Sequence, residues 1–521
     1  MTKECISETK PFFRHEIYHI LNSALQHHKS KLSSSEKERL QLYLFEFNSI
    51  KKMTNSTPYS GEPDLISLVE RIPFLNNRLC KNNRFLFFSS DSNYTVTFNP
   101  IFAFSAGTTN LDSLGEVNEF KRTSGGQILG LLGSRISFFL DFRDTKEWGH
   151  SYFPNGHRLA WPGAGYAEGR GESVFYDEAI AFINVDMRHF QLQFGKNQNR
   201  WGPANSGGLI LNNTATSYDQ IRVNTSIGKL RFTFFHAELQ PFPRITQHMY
   251  RSNGVDREFY ANKYFVGHRF EIQAHSRLQL ALSETVVYGE RGVQFGYLNP
   301  LMFFRSAEHY YGDRDNVALG FDLKYRATRD FVFYSELLLD DFSFSMLGSD
   351  WYGNKQAWTF GIRTTAFAKY VSGLLCMEYI HIRPYVYSHT FPINRYTHYN
   401  TNLGSMLQPN SEAFYVRYSG FIRWNWQFYL EGWRITHGSN LAEKNVGGDI
   451  DRAFDTHDSQ TAPFLDGKLT VQTRLKASLN YTLFMNCTVH ANAAWQLDNS
   501  PENRTASHIT FQFGLSWNYN D

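Results

Sequence analysis

The chain ends HITFQFGLSWNYND (508–521). Ile509, Phe511, Phe513, Leu515, Trp517 and Tyr519 occupy every second position. His508, Thr510, Gln512, Gly514, Ser516 and Asn518 fill the places between. Side chains of a β-strand alternate between two faces, so this stretch is apolar on one face and polar on the other. A chain can finish on such a strand if the strand closes a barrel. In lipid an open sheet edge would leave backbone N–H and C=O groups unpaired, at high cost. A last strand paired with the first removes that edge.

The same period of two runs through most of the chain from about residue 84. In GSRISFFLDFRD (133–144), Ile136, Phe138, Leu140 and Phe142 alternate with Arg135, Ser137, Asp141 and Arg143. HFQLQFG (189–195) repeats the pattern. Paired runs follow at 265–289, 317–342, 414–438 and 468–497. At one strand of 9–11 residues plus a connection, the segment predicts roughly 16–20 strands. Connections alternate in length. ATRD (327–330) is a tight turn, whereas 388–412 and 440–468 are long and polar. Short turns at one end and long loops at the other are the outer-membrane pattern. A soluble sandwich or propeller also alternates. Here, however, the face opposite the apolar one is rich in charges and amides, and aromatics gather at strand ends. The expected fold class is an all-β transmembrane, antiparallel outer-membrane barrel.

Composition permits this reading. The chain has 521 residues, 16% aromatic side chains and 37 glycines. Its mean hydropathy is −0.43. Strands that alternate lipid-facing and lumen-facing residues keep that average low. The formal charge of +3 gives no strong attraction to nucleic acid, and none is expected as a partner. Cys5, Cys80, Cys376 and Cys487 lack metal or redox spacing and are read as unpaired. The first residues, MTKECISETKPFFRHEIYHI, contain no secretory signal. The expectation is therefore that an in-frame signal is encoded upstream of Met1.

Residues 1–54 read as a helical hairpin. Ile17, Ile20, Leu21, Ala24 and Leu25 lie on one helical face. Ser33 and Glu36 have capping-box spacing at the start of a second helix. Residues 55–83 form a linker with an irregular or short helical part, opened by the Pro/Gly/Ser-rich NSTPYSGEPD. Residues 84–521 form the barrel.

The terminal strand also resembles the signal by which outer-membrane barrels are recognised for insertion. Gln512, Gly514, Trp517 and Tyr519 occupy its polar, glycine and aromatic positions. Three further stretches, 10–47, 194–223 with its RWGP, and 297–323 with Asp313, Asp315 and Asn316, resemble the Wzi-type capsule-assembly outer-membrane proteins, in particular a divergent Bacteroidetes-like branch. That resemblance implies a barrel of about 18 strands with a small periplasmic helical bundle. It implies a lectin-like role, in which exported capsular or surface polysaccharide is bound or organised at the cell surface. The partners expected are that polysaccharide, outer-membrane lipid and the barrel-assembly machinery.

Polysaccharide contact needs aromatic faces and planar polar groups. Arg200 and Trp201, in the turn NQNRWGPANSGG, can face a ligand or the lumen. The plainer reading makes this turn a plug in which Arg200 pairs with a lumen carboxylate. Asp141, Arg143 and Glu147 share the polar side of one strand, where opposite charges neutralise one another. Asp313, Asp315 and Asn316 fall short of a Ca²⁺ ligand set, which favours a solvated or strand-capping role. The acidic segment 447–458 reads as an ordinary loop. Trp426 and Phe428, with Trp424, are assigned to lipid and Trp433 to the other face. His27, His28 and His309 lack ligand-spaced partners. No cofactor or metal is expected, and no nucleophile elbow, HExxH or phosphate loop marks an enzyme.

Three functions stay open at this point: a polysaccharide-binding barrel, a diffusion channel with a charged lumen, and a barrel hydrolase whose residues come from different strands. The face assignment is testable. Phe511→Asp or Leu515→Asp places a charge on the lipid side and should lower the yield of assembled barrel. Normal assembly of both variants, measured as the heat-shifted electrophoretic band, would contradict the assignment.

Overall fold

The computed structural model describes residues 8–10, 14–28, 37, 40, 43–44, 85–111, 115–149, 158–161, 165–171, 173–187, 189–341, 343–346, 348–367, 372–423, 425–484, 486–500 and 506–518. Eighteen antiparallel strands close into a barrel. Its first quarter is β1 (Tyr94–Leu111), β2 (Gly115–Leu132), β3 (Ile136–Trp148), β4 (Ser173–Asp186) and β5 (Phe190–Asn197). Then come β6 (Tyr218–Ile227), β7 (Leu230–Leu239), β8 (Lys263–His275) and β9 (Leu278–Gly289). The wall continues through β10 (Asn316–Arg326), β11 (Phe331–Asp341), β12 (Lys355–Thr364) and β13 (Gly373–Ile382). It ends with β14 (Ser411–Arg423), β15 (Trp426–Ser439), β16 (Lys468–Phe484), β17 (Cys487–Asn499) and β18 (Ala506–Trp517).

The closing strand behaves as its alternation requires. β18 pairs with β1 in a register running from His508↔Leu111 to Trp517↔Phe102. Phe511 and Phe513 are 48% and 63% exposed on the outer surface. Between them, Gln512 accepts from Asn492 Nδ2 at 3.2 Å and donates to Ser105 Oγ at 3.2 Å inside. Gly514 has a packing reason of its own: a β-carbon there would lie 2.2 Å from His490 Nε2. Trp517 ends the strand half-buried, and Tyr519 lies outside the described residues.

The two ends of the barrel differ. Turns at 133–135, 228–229, 276–277, 327–330 and 424–425 are short. The opposite end carries 198–217, 240–262, 290–315, 383–410 and 440–467. In outer-membrane barrels the short turns face the periplasm and the long loops the exterior. An exposed hairpin, Thr246–Ser252 with Val255–Tyr260, belongs to the outer set. So do α2 (Phe295–Leu298) and α3 (Phe304–Tyr310).

Among the described residues, no helix is long and apolar enough to cross a membrane. Near the N-terminus, α1 (Arg14–His28) carries the expected apolar stripe, half-buried. The cap at Ser33 and Glu36, the linker 55–83, Cys5, Cys80 and Trp424 lie outside the described residues, as do the side chains of His27 and His28. Cys376 and Cys487 are free and buried.

Candidate functional site

The long outer loop that follows β5 turns inward. Arg200–Trp201 forms a short strand, and Gly202–Ser217 continues through the lumen. Two wall carboxylates hold this loop by its backbone. Glu336 on β11 accepts from Ala204 N at 2.7 Å through Oε1 and from Leu209 N at 2.8 Å through Oε2. Glu378 on β13 accepts from Asn205 N at 2.5 Å and Ser206 N at 3.0 Å. Tyr334 Oη donates to the same Glu378 at 2.5 Å. A buried carboxylate is tolerated when its lone pairs are filled, and backbone amides fill these.

Glycines let the loop approach so closely. At Gly202, φ is +101°, and a β-carbon would lie 2.4 Å from Glu336 Oε1. On the wall, a β-carbon at Gly320 would lie 1.9 Å from Ile210 Cδ1. The loop's apolar side chains then meet inward residues of the wall. Trp201, Leu209, Ile210 and Leu211 pack with Phe235, Phe265, Leu338 and Ile382. From above, Tyr387 Oη donates to Leu209 O and Tyr396 Oη to Ile210 O, each at 2.7 Å. Leu403, Leu407 and Ile450 from the two later outer loops join the same core. A hydrophobic core therefore lies inside the barrel, beside the wall from β6 to β15.

The N-terminus reaches the same place. Thr9–Lys10 pairs antiparallel with Arg200–Trp201. Glu8 meets Lys324 at 2.6 Å and Arg363 at 3.6 Å. Arg269, 2% exposed, binds Asp322 through both terminal nitrogens and donates from Nε to Thr9 Oγ1 at 2.9 Å. Each buried charge is opposed by another, the condition under which buried ions persist.

The sequence-predicted residues fall into separate places. Trp201 is 1% exposed and belongs to the lumen core. Arg200 differs from the pairing expected of it: its Nη2 donates to Ala204 O and Asn205 O. The nearby wall carboxylates, Glu336 and Glu378, accept from the loop's amides instead. Asp141, Arg143 and Glu147 do face the lumen together. Arg143 Nε donates to Asp141 Oδ1 at 2.8 Å, and Tyr176 Oη donates to Glu147 Oε1 at 2.7 Å. Trp426 starts β15, and Trp433, on the inner face, donates from Nε1 to Glu431 at 3.1 Å. In 447–458 the carboxylates tie local backbone: Asp449 accepts from Asp451 N at 2.8 Å and Asp455 from His457 N at 2.9 Å.

Asp313, Asp315 and Asn316 sit together at the outer rim. Asp315 is buried; its Oδ2 accepts from Tyr297 Oη at 2.6 Å and from Arg291. Asn316 opens β10 and donates to Asn394 O at 3.0 Å. Asp313, exposed, meets His309 Nδ1 at 2.5 Å. With Glu308, Asp340, Asp341, Lys355 and His389 they border a polar cleft of about 230 Å³. Glu308's carboxyl is pushed up to about 7 by burial and by Asp313 and Asp315, against Arg305. Two larger hollows, of about 830 and 670 Å³, are apolar grooves between outward side chains such as Phe321, Phe333 and Phe414. They lie on the lipid-facing wall.

Sequence reasoning missed Glu336, Glu378 and residues 8–10. Parity offered a signal for the first two. Glu336 falls among Tyr334, Leu338 and Asp340, the inward positions of YSELLLDD. An inward carboxylate with no basic neighbour on its own strand asks for donors from elsewhere.

A closed barrel of this topology, with its own outer loops folded into the lumen, is an outer-membrane β-barrel protein. The chain belongs to the capsule assembly protein Wzi family, whose model matches residues 168–506. Among solved structures it is similar to Wzi of Escherichia coli, an outer membrane protein involved in group 1 capsule assembly and a carbohydrate-binding β-barrel. The two are 11% identical over 99% of this chain and 94% of that chain, with a TM-score of 0.56, a likeness of fold. OccD3 (OpdP) of Pseudomonas aeruginosa gives 0.41 at 10% identity, over 81% of this chain and 92% of its own. OccAB2 of Acinetobacter baumannii gives 0.42 at 14%, over 80% and 98%. No curated protein matches the sequence.

The carboxylate cradle yields a prediction. Glu336→Gln leaves one acceptor where two are needed, so one buried N–H loses its partner at about 1–3 kcal/mol. Gly202→Ala drives a β-carbon into Glu336. Both variants should unfold at lower temperature in detergent micelles than the parent, by circular dichroism. Unchanged melting of both would contradict the role given to the cradle.

Proposed function

We propose that this protein binds exported capsular or surface polysaccharide at the outer face of the barrel and so takes part in capsule assembly. The observation that carries the reading is the core inside the lumen. A diffusion channel keeps a water-filled path. Here Trp201, Leu209–Leu211, Tyr387 and Tyr396 occupy that space beside half of the wall. The loops that are not drawn in remain as an external surface with polar and aromatic groups. On it Tyr250 packs against Phe259 at 5.0 Å, and Arg244 lies 4.9 Å from the Tyr260 ring. Tyr310 is 92% exposed beside the polar cleft. Aromatic faces next to planar cations and carboxylates suit sugar rings and their hydroxyls.

The family to which the chain belongs supports the same reading. In this account the protein works by binding rather than catalysis, with Asp141, Arg143, Glu147, Arg200 and Trp201 supporting the scaffold. The outer apolar belt faces outer-membrane lipid. Gln512, Gly514 and Trp517, with Tyr519, serve recognition by the barrel-assembly machinery. The division into a periplasmic helical segment (1–54), from which residues 8–10 reach into the lumen, a linker (55–83) and a barrel (84–521) is part of the proposal.

The test is a titration of the detergent-purified barrel with surface polysaccharide from its own host, followed by calorimetry. The expected result is saturable binding, weakened when Tyr250, Phe259 and Tyr310 are changed together to alanine. Absence of binding by the parent protein would overturn the reading.

A further inference from the structure

The lipid-facing wall is not even. Its larger groove, of about 830 Å³, runs across the strands from β7 to β12. That volume falls within the roughly 300–1,000 Å³ of clefts that hold small ligands. The floor is one row of register partners: Leu230, Ile272, Leu280, Leu323 and Ser335. The row does not stay at one depth. Leu230 opens β7 at the short turn 228–229, Leu280 is third in β9, and Ser335 is fifth in β11. The groove therefore starts at the periplasmic edge and climbs into the wall, as a row across tilted strands does. Four strand spacings of about 4.8 Å make its floor roughly 19 Å long. At the upper end Ser335 is small between Phe333 and Leu337 on its own strand and Phe360 across the ladder, so the groove stays open there.

The edge beneath this groove carries one sign of charge. The turns 228–229, 276–277 and 327–330 each hold an exposed cation: Lys229, Arg277 and Arg329. Among the described residues none of these three side chains makes an ion pair or a hydrogen bond. Asp330, the one carboxylate in these turns, is engaged, accepting from Thr365 Oγ1 at 3.0 Å. Between the cations and the groove lies Tyr325, outward and exposed near the end of β10, at the level where aromatic rings meet lipid headgroups. The order from the periplasm inward is thus cation, aromatic ring, apolar groove. A phospholipid has the matching order of phosphate, glycerol and acyl chain. Basic side chains at a membrane surface attract anionic headgroups. A second copy of the chain is a poor occupant. Turned about an axis along the membrane normal, it would set its own Lys229, Arg277 and Arg329 beside these, and like charges repel.

We propose that this groove is a binding site for one anionic phospholipid of the periplasmic leaflet, with an acyl chain along the row from Leu230 to Ser335 and the phosphate among Lys229, Arg277 and Arg329. The site goes beyond the general contact of the apolar belt with lipid, because it selects by headgroup charge and has a fixed place on the wall. It does not depend on the polysaccharide-binding reading.

The experiment uses the full chain in detergent micelles. It is titrated with phosphatidylglycerol or phosphatidylcholine carrying the same palmitoyl and oleoyl chains, and bound lipid is counted by native mass spectrometry. Phosphatidylglycerol should bind at least about tenfold more tightly. The double variant Lys229→Gln, Arg277→Gln should bring it to the level of phosphatidylcholine. The double variant Arg135→Gln, Arg251→Gln removes the same formal charge at exposed positions away from the groove and should leave the preference in place. Ser335→Trp fills the upper groove and should weaken both lipids severalfold. Equal binding of the two lipids by the parent, an equal loss in both charge variants, or unchanged binding in Ser335→Trp would overturn the proposal. So would a dimer of the parent that Ser335→Trp dissociates, since a second copy would then occupy the groove.

Discussion

Four backbone amides of one loop end on two carboxylates inside a barrel, and the interior of this protein is organised around that fact. Glu336 and Glu378 project from β11 and β13 to the same segment, Ala204–Leu209. Without them, the loop would carry unpaired N–H groups into the lumen, where they are costly. With them, the loop is fixed at a depth that puts Trp201, Leu209 and Ile210 against the inner wall. The tyrosines of a later outer loop, 383–410, then seal it from above through the carbonyls of Leu209 and Ile210.

The wall makes this interior possible. Because the ladder is closed, its backbone polar groups are paired within the sheet, and lipid meets only side chains such as Phe511 and Phe513. Every strand then offers its alternate residues to the lumen. On the β16–β18 side these remain amides and hydroxyls, as with Gln472 Nε2 to Asp498 at 2.5 Å and Asn492 to Gln512. On the β6–β15 side they include Phe235, Phe265, Leu338 and Ile382, which need apolar partners. The loop and the N-terminal strand Thr9–Lys10 bring partners and opposing charges to that side only. Outward, the same loops leave a rim whose polar cleft and exposed rings form the binding surface proposed for the family's substrate.

Much of the wall was legible because strand alternation is a local property. Ile509 to Trp517 displayed their faces in order, and the closing partnership with β1 followed from the cost of an open edge. Asp141, Arg143 and Glu147 could be placed in the lumen by parity alone. The lumen core was not legible. Its contacts join residues more than a hundred positions apart, such as Leu209 with Tyr387 and Ala204 with Glu336, and no periodicity records them. RWGP marked the turn correctly, yet Arg200 bonds to its own loop because the wall carboxylates are engaged with amides. Residues 8–10 gave no sign of their place in the barrel, since three polar residues carry no pattern. The rim cleft was half visible: Asp313, Asp315 and Asn316 drew notice, but Glu308, Asp340, Asp341 and Lys355 come from other elements.

The central claim is that the loop held by Glu336 and Glu378 blocks passage through the barrel. Its most direct test is ion conductance in planar lipid bilayers, comparing the parent protein with the double variant Glu336→Ala, Glu378→Ala. The account predicts negligible steady conductance for the parent and open-channel steps for the variant, whose loop has lost its four amide partners. Steady conductance through the parent, equal to that of the variant, would contradict it.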